Sequence, residues 1–600
     1  MPASPDPDGC EEDEEAAANV ADPLLEDRLT SQNDYFSSRL VYVGGFQRSM
    51  QYEVSLPSRA YTQVLVQVVL RFIGQDYHLL RRRSYFEEVD RIYQNPNEAD
   101  QLSLCKLFVV LALGELYLKK TCSVEGGERV VPGTKFFLQA ISLFQDQFEE
   151  PDISYIETLL LLNTAYTYAG LALRLSLTLG LHRNITYDPK TNPTEIENRR
   201  RVWWTVYTFD RLCSSKLGHA VMIKDEDIDA PFPSSEVEDE DFVDAKQLIA
   251  NIRLSKITGS ILNLIYGVPT QRSGDFIRNV HTILNNLKQW DAELPLELKL
   301  NHQRFPSYGS RPVASLRLHF NQCIILTTRP VLLHVFNHYI KTNKNAGVGV
   351  GSSPASATTP TSASTSPKPL SPMTVALSEA CIYAARASAN LLGQLWADGS
   401  IATFGFFDSH YAFSSTVVLI MSNLLRANDA DRDAIALSRA LLQSMVDDGN
   451  LPAREFHGRL AALQRDVDAL LAAAGDVSSP GSGKGGGGGG GGVLSVAQPP
   501  PLRGYVTSTG TFAANVPRDF PHHQHIKSLS SAYRIPGSGG ALGSGVSASN
   551  SEALSTAPLD APFIQDFLGN FDSSWSPGNL DLSNDEEVPW SLSWEATDPV

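Results

Sequence analysis

Apolar residues recur at intervals of three and four over most of the first 475 positions, the period at which one face of an α-helix is buried. The first such run opens at Leu56-Pro57-Ser58-Arg59, with Pro57 expected in the first turn and Val64, Val66, Val69, Leu70 and Phe72 supplying the apolar face. The pattern returns over 102–118, 135–148, 153–181, 196–216, 245–266, 273–287, 316–340, 373–396 and 411–425, and 430–474 reads as one or two further helices. Strand-like alternation is rare, and no repeat at solenoid period is present. The expected fold is all-α, a multi-helix array with disordered low-complexity segments at the N terminus, internally and at the C terminus.

Those segments divide the chain. Residues 345–372 are dense in Gly, Ser, Thr, Ala and Pro and bury too little apolar area to offset the entropy of ordering, so they read as a disordered insertion in a helical domain over 51–475. The same holds for 476–555, a Gly/Ser/Pro-rich linker that contains the unbroken glycine run 485–492. Residues 1–50 read as an acidic disordered leader and 556–600 as an acidic aromatic tail. Residues 1–27 and 535–600 each hold ten carboxylates and no Lys or Arg. Removing those twenty acids from 67 leaves 47 against 49 basic side chains in 28–534, so the helical part is close to neutral and the surplus charge sits in the ends.

A near-neutral domain lacks the basic face that displaces phosphate counterions from duplex DNA. Its two basic triplets, Arg81-Arg82-Arg83 and Arg199-Arg200-Arg201, are too short to serve as one, and the first reads as the joint between two helices. The six cysteines, at 10, 105, 122, 213, 323 and 381, contain no C-x-x-C pair, so a local zinc site cannot be assembled and reduced, buried thiols are expected. No basic n-region precedes the first apolar residues, and the longest apolar stretch, 159–181, is interrupted by Asn163 and Arg174; neither a signal peptide nor a membrane span is expected.

The most specific words of the sequence lie between 168 and 233. They are Leu179-Gly180-Leu181-His182-Arg183, then Arg201-Val202-Trp203-Trp204, Phe209-Asp210-Arg211 and Asp227-Ile228-Asp229, closed by Pro231-Phe232-Pro233. Together with Leu326-Thr327-Thr328-Arg329-Pro330 they resemble the fungal-specific transcription factor domain, the middle homology region that usually follows a binuclear zinc-cluster DNA-binding domain. The resemblance covers about residues 56–430 and makes Gly180, His182, Arg183, Arg201, Trp203, Trp204, Asp210, Arg211, Asp227, Asp229, Arg329 and Pro330 its signature positions. It implies a helical domain for regulation, dimerisation with a like or unlike chain, or response to a small-molecule effector, in a nuclear protein. It implies that the late helix ends near Arg329-Pro330. It departs at Gly218-His219-Ala220, where the family carries a Gly-Arg-Pro-like turn. Zinc and DNA contact belong, in the family, to an N-terminal cysteine cluster absent here; the chain is expected either to lack that module as an incomplete gene product or to reach DNA through a partner. The alternative is a helical sensing or interaction module without DNA binding of its own.

Chemistry of other kinds finds little support. The glycine stretches at 347–351 and 481–485 do not join a strand to a helix, as a phosphate-cradling loop must. His334 and His338 stand four apart on a helix but lack a neighbouring third ligand, and Asp225, Glu226, Asp227 and Asp229 lack the offsets of a calcium loop. No hydrolase, metalloprotease or kinase phrase is present, so no catalytic residue is assigned. In the tail, Phe563, Phe567, Phe571 and Trp575 recur every four residues and Trp590 and Trp594 follow among Asp585, Glu586, Glu587 and Glu595. Carboxylates keep such rings solvated and available, the profile of an activation segment that recruits transcription machinery or coactivators.

Overall fold

The structure is a computed structural model, and it describes residues 40–41, 53–119, 121–125, 128–144, 152–162, 166–184, 192–237, 239–267, 273–299, 311–347 and 370–475. Among them are fourteen α-helices: α1 Arg59–Phe72, α2 Arg82–Gln94, α3 Gln101–Leu118, α4 Thr134–Phe144, α5 Ile153–Leu161, α6 Tyr166–Thr178, α7 Pro193–Leu217, α8 Ala245–Leu264, α9 Ser273–Glu293, α10 Arg311–Gly347, α11 Pro372–Ala397, α12 Phe406–Leu425, α13 Asp429–Asp448 and α14 Leu451–Gly475. Two small antiparallel pairs, β1 Leu40–Val41 with β2 Glu53–Val54 and β3 Ser123–Glu125 with β4 Glu128–Val130, are the strands of the described residues. The all-α expectation is borne out. The leader apart from β1, 348–369, and all of 476–600 lie outside the described residues, and with them Phe563, Phe567, Phe571, Trp575, Trp590 and Trp594.

Seven of the fourteen helix starts are written in single side chains. Ser58, Asp100, Asp152, Asn192, Asp244, Ser371 and Asn428 each accept a hydrogen bond from a first-turn amide, and Pro193 and Pro372 occupy the first helical position. Pro57 is a correction: it precedes the Ser58 cap, so the first turn of α1 starts after it.

By their internal contacts the residues form two units, one through Leu460 and one that begins at Ala461 and whose described part is the end of α14. The first holds two apolar clusters. One draws on α1 to α7, with Leu65, Phe108, Ile156, Trp203 and Tyr207 fully buried, and the other on α8 to α13, with Ile283, Phe320, Ile324 and Leu377. Helix α3 has the length and apolarity of a membrane span, yet 61% of it is buried inside the protein, against α1, α4 and α5. Its Lys106 makes a 2.5 Å ion pair with Glu157 of α5, both side chains 6% exposed.

Helix α8 serves both clusters, Leu248 and Ile252 in the first and Leu254 and Ile261 in the second. There its polar residues meet the segment between α1 and α2. Gln247 Nε2 donates to Asp76 Oδ1 (2.9 Å), and Asn251 Nδ2 to the Asp76 carbonyl (3.2 Å). Burial pushes the Asp76 carboxyl up to about 7, against the opposing pull of Gln247 and Arg311. Nearby, burial pushes His78 down to about 4 and His319 to about 3.

The late helix corrects the family-based expectation at Arg329 and Pro330. α10 does not end there; it runs through Pro330 to Gly347. A proline inside a helix strands the carbonyl four residues earlier, here that of Leu326. The Tyr266 hydroxyl donates to that carbonyl at 2.7 Å, and Arg329 Nη2 donates to the Tyr266 oxygen at 3.2 Å, so the helix continues without a naked acceptor. Tyr266→Phe is expected to cost about 1–2 kcal/mol in urea unfolding, the cost of an unmet buried acceptor; an unchanged midpoint would show that the carbonyl is otherwise satisfied.

The Asp76 shift has a sign that can be measured. A carboxyl raised in the folded state adds stability below its unfolded value near 3.8, and that contribution is lost as pH rises towards about 7. Asp76→Asn is therefore expected to gain on the wild type by up to about 4 kcal/mol between about pH 4 and 7. Comparing urea midpoints of the two proteins across that range cancels the opposite trend of His78 and His319. Parallel pH curves would refute the assignment.

Candidate functional site

Ten of the twelve signature positions fall on one corner of the first unit, where the turn after α6, the helix α7 and the loop after it converge. The turn is closed by Gly180 at φ +67°, a conformation that favours glycine, and the Leu181 amide reaches back to the Ser176 carbonyl (2.9 Å). This brings His182 against α7, its ring 5.7 Å from that of the buried Trp203. The His182 carbonyl accepts from the amides of Asp229 (3.2 Å) and Ala230 (3.1 Å), and Asp229 Oδ1 accepts from the Asn184 amide (3.0 Å). The side chains of Arg183 and Asp229 are exposed and 4.0 Å apart, a contact of little energetic weight. Asp227 is exposed too, and its amide closes a short 3₁₀ turn on the Lys224 carbonyl (3.2 Å).

Along α7 the remaining positions form a stripe at helical spacing that grips the loop 222–243 in antiparallel order. Arg211, 1% exposed, donates from Nη1 to Asp210 (2.5 Å) and from Nη2 to the Ile223 carbonyl (2.7 Å) and Asp225 Oδ1 (2.8 Å). One turn earlier Tyr207 donates its hydroxyl to the same Asp225 oxygen (2.8 Å) and lies 4.2 Å beneath the Arg211 guanidinium. Trp204 Nε1 donates to the Pro231 carbonyl (2.7 Å), and its ring packs on Phe232. Arg201 donates from Nε to Glu197 (2.6 Å), from Nη1 to the Val243 carbonyl (2.6 Å) and from Nη2 to the Ser234 carbonyl (3.0 Å). Glu197 accepts in turn from the Ser234 amide (3.0 Å).

Space for Arg211 comes from a neighbour. A Cβ on Gly259 of α8 would stand 2.9 Å from Arg211 Nε, so glycine is what lets the guanidinium lie flat between α7 and α8. Gly259, Glu197 and Tyr207 are functional parts that the sequence reading missed. The signal for the last two was present, since 197, 201, 204, 207 and 211 step by three and four along one face. Gly218, where the Gly-Arg-Pro-like turn is replaced, ends α7 at φ 72°.

Burial raises the Asp210 carboxyl and Arg211 pulls it back. The carboxylates of this corner are taken up by arginines and backbone amides, an arrangement that holds a loop in place. Arg329 and Pro330 do not join it; both lie within α10, and Arg329 reaches Tyr266 in the turn after α8. The basic triplets are spent in the same way. Arg81 pairs with Glu195, Arg83 with Glu87 and Glu240, Arg199 donates to the Leu179 carbonyl, and Arg200 and Arg201 pair with Glu197, while Arg82 is exposed. No group of three or more His, Cys, Asp and Glu placed to hold a metal occurs among the described residues.

Residues 70–292 match the family model described as the fungal specific transcription factor domain. The chain carries that domain. It spans α2 to α9 and includes every gripping residue of the corner. Among similar proteins are an uncharacterized transcriptional regulatory protein of Schizosaccharomyces pombe, 28% identical over 395 residues that make up 64% of this chain and 46% of that protein. The thiamine repressible genes regulatory protein of the same yeast is 23% identical over 68% of this chain and 52% of its own length. Activator of stress genes 1 of Saccharomyces cerevisiae is 28% identical over 46% and 31%. The chain thus matches about half or less of the length of these relatives. No solved structure matches it.

Arg211→Met tests the grip. It leaves Asp210 buried without its cation, and a loss of about 3–5 kcal/mol is expected together with new proteolytic cuts between 219 and 243. Wild-type protease resistance of that loop in the variant would show that Arg211 does not hold it.

Proposed function

We propose that this chain is a fungal-type transcription regulator acting in the nucleus, with the helical domain as its regulatory and dimerisation part and the acidic aromatic tail as its contact with transcription machinery. The observation that carries the reading is the match of 70–292 to the transcription factor domain, with the signature residues engaged in one continuous grip instead of scattered. The relatives' names point the same way, as regulators or activators of gene sets. DNA is reached through a zinc-cluster module or a partner chain, since the cysteines at 105, 323 and 381 are buried singly with thiols pushed up to about 12. In the tail, Phe563, Phe567, Phe571 and Trp575 recur every four residues, a spacing that forms one stripe if the segment folds as a helix on binding, and Trp590 and Trp594 add further rings for a hydrophobic groove on a coactivator.

Fusing 551–600 to an unrelated DNA-binding domain is expected to activate a reporter. Changing Phe567, Phe571 and Trp575 together to Ala is expected to abolish most of that activation, because the rings supply the apolar contact and the carboxylates only the solubility. No activation by the fusion, or activation untouched by the triple change, refutes the role of the tail.

A further inference from the structure

Far along the chain from the gripped corner, α10, α11 and the turn between α12 and α13 enclose a half-open chamber of about 390 Å³, within the range of small-molecule sites. Val335 and Tyr339 of α10 and Val375 and Ile382 of α11 line it, at spacings that put each pair on one helix face, and Leu425 adds to the wall. Tyr339 and Val375 are 39% and 44% exposed, so apolar surface continues from the chamber to its mouth.

The charges in the wall are unequal. Asp431 is fully buried; Arg386 holds it through two hydrogen bonds, and the Ser422 hydroxyl donates to it at 2.8 Å, which closes that pair. Glu379, half-buried, also acts on Arg386 electrostatically, so the wall carries two carboxylates, one buried and one reached by solvent, around one guanidinium. Arg426 borders the same space and is exposed, with no ion pair among the described residues. The chamber therefore offers a half-buried carboxylate that is not part of the closed Arg386–Asp431 pair, an exposed guanidinium at its border, and an apolar wall.

We propose that this chamber binds a small zwitterion with an apolar side, a free hydrophobic α-amino acid being the simplest member of the class. Its ammonium meets Glu379, its carboxylate meets Arg426, and its side chain lies against Val335, Ile382 and Leu425. Glu379 acts on Arg386 only electrostatically and Arg426 is exposed, so both can turn to a ligand. The proposal does not rest on the transcriptional reading, and its test involves no promoter.

Thermal-shift and calorimetric titrations of the full chain with L-leucine, L-phenylalanine and L-tryptophan supply that test. At least one is expected to raise the melting temperature saturably, and its N-acetyl and carboxamide derivatives are expected to lose the effect. Glu379→Gln and Arg426→Gln are each expected to weaken binding about tenfold or more, the worth of one charge-assisted hydrogen bond, with the unliganded melting temperature unchanged. Val375→Trp, which fills the mouth, is expected to abolish binding without unfolding the protein. No saturable shift with any of the three acids at millimolar concentration, derivatives that bind as tightly as the free acid, or binding undiminished in both Gln variants would overturn the proposal.

Discussion

A guanidinium keeps its proton under all ordinary conditions, so burying one obliges the surrounding chain to supply acceptors in the plane of its fork. α7 buries two, Arg201 and Arg211, at 3% and 1% exposure. Besides Glu197 and Asp210 on α7 itself, their acceptors come from the loop that follows the helix: the carbonyls of Ile223, Ser234 and Val243 and the carboxylate of Asp225. Remove the loop and both guanidinium groups keep one carboxylate each but lose the rest of their acceptors; remove the charges and the loop loses its hold on the helix. The constraint reaches outward from there. Gly259 makes room on α8, Glu197 balances Arg201 and ties Ser234, and the corner after α6 must present the His182 carbonyl to receive Asp229 and Ala230. Buried ion pairs contribute little net stability, but they penalise misplacement heavily, so their effect here is to specify one path for the loop.

Much of this was legible beforehand, and the failures have physical causes. The pattern over 196–216 located α7 to within a few residues of Pro193–Leu217, because an apolar face at helical spacing leaves few alternatives, while the Asn192 cap and Pro193 start went unread. The Arg81-Arg83 joint between helices is seen at the start of α2, with Arg81 in its N-cap position. The pattern over 153–181 reads as one helix, and the structure describes α5 and α6 within it, with 163–165 outside the described residues. The stop near Pro330 that the resemblance implies is not seen, in keeping with the apolar pattern over 316–340, because Tyr266 from the turn after α8 meets the carbonyl that the proline leaves. A long-range donor leaves no local mark. The hairpin of β3 and β4 is too short for period-two alternation to show.

The signature residues were visible as words, while their joint action was not. Trp204 and Asp229 read equally well as core and as acidic loop until the structure joins one to the Pro231 carbonyl and uses the other's backbone on His182. The acidic run at 225–229, which in sequence invites a metal, is divided between Arg211, Tyr207, Asn184 and solvent.

Because Tyr266 rescues the Leu326 carbonyl, α10 is one continuous element of 37 residues, about 55 Å at the rise of an α-helix. Its first residue, Arg311, is clamped bidentately to Asp408 beside the buried Asp76, and its far turns carry Val335 and Tyr339 of the chamber. The two places share a single stiff lever with no loop between them to absorb a displacement. A rotation imposed at the chamber end must be carried by the Arg311 clamp at the other.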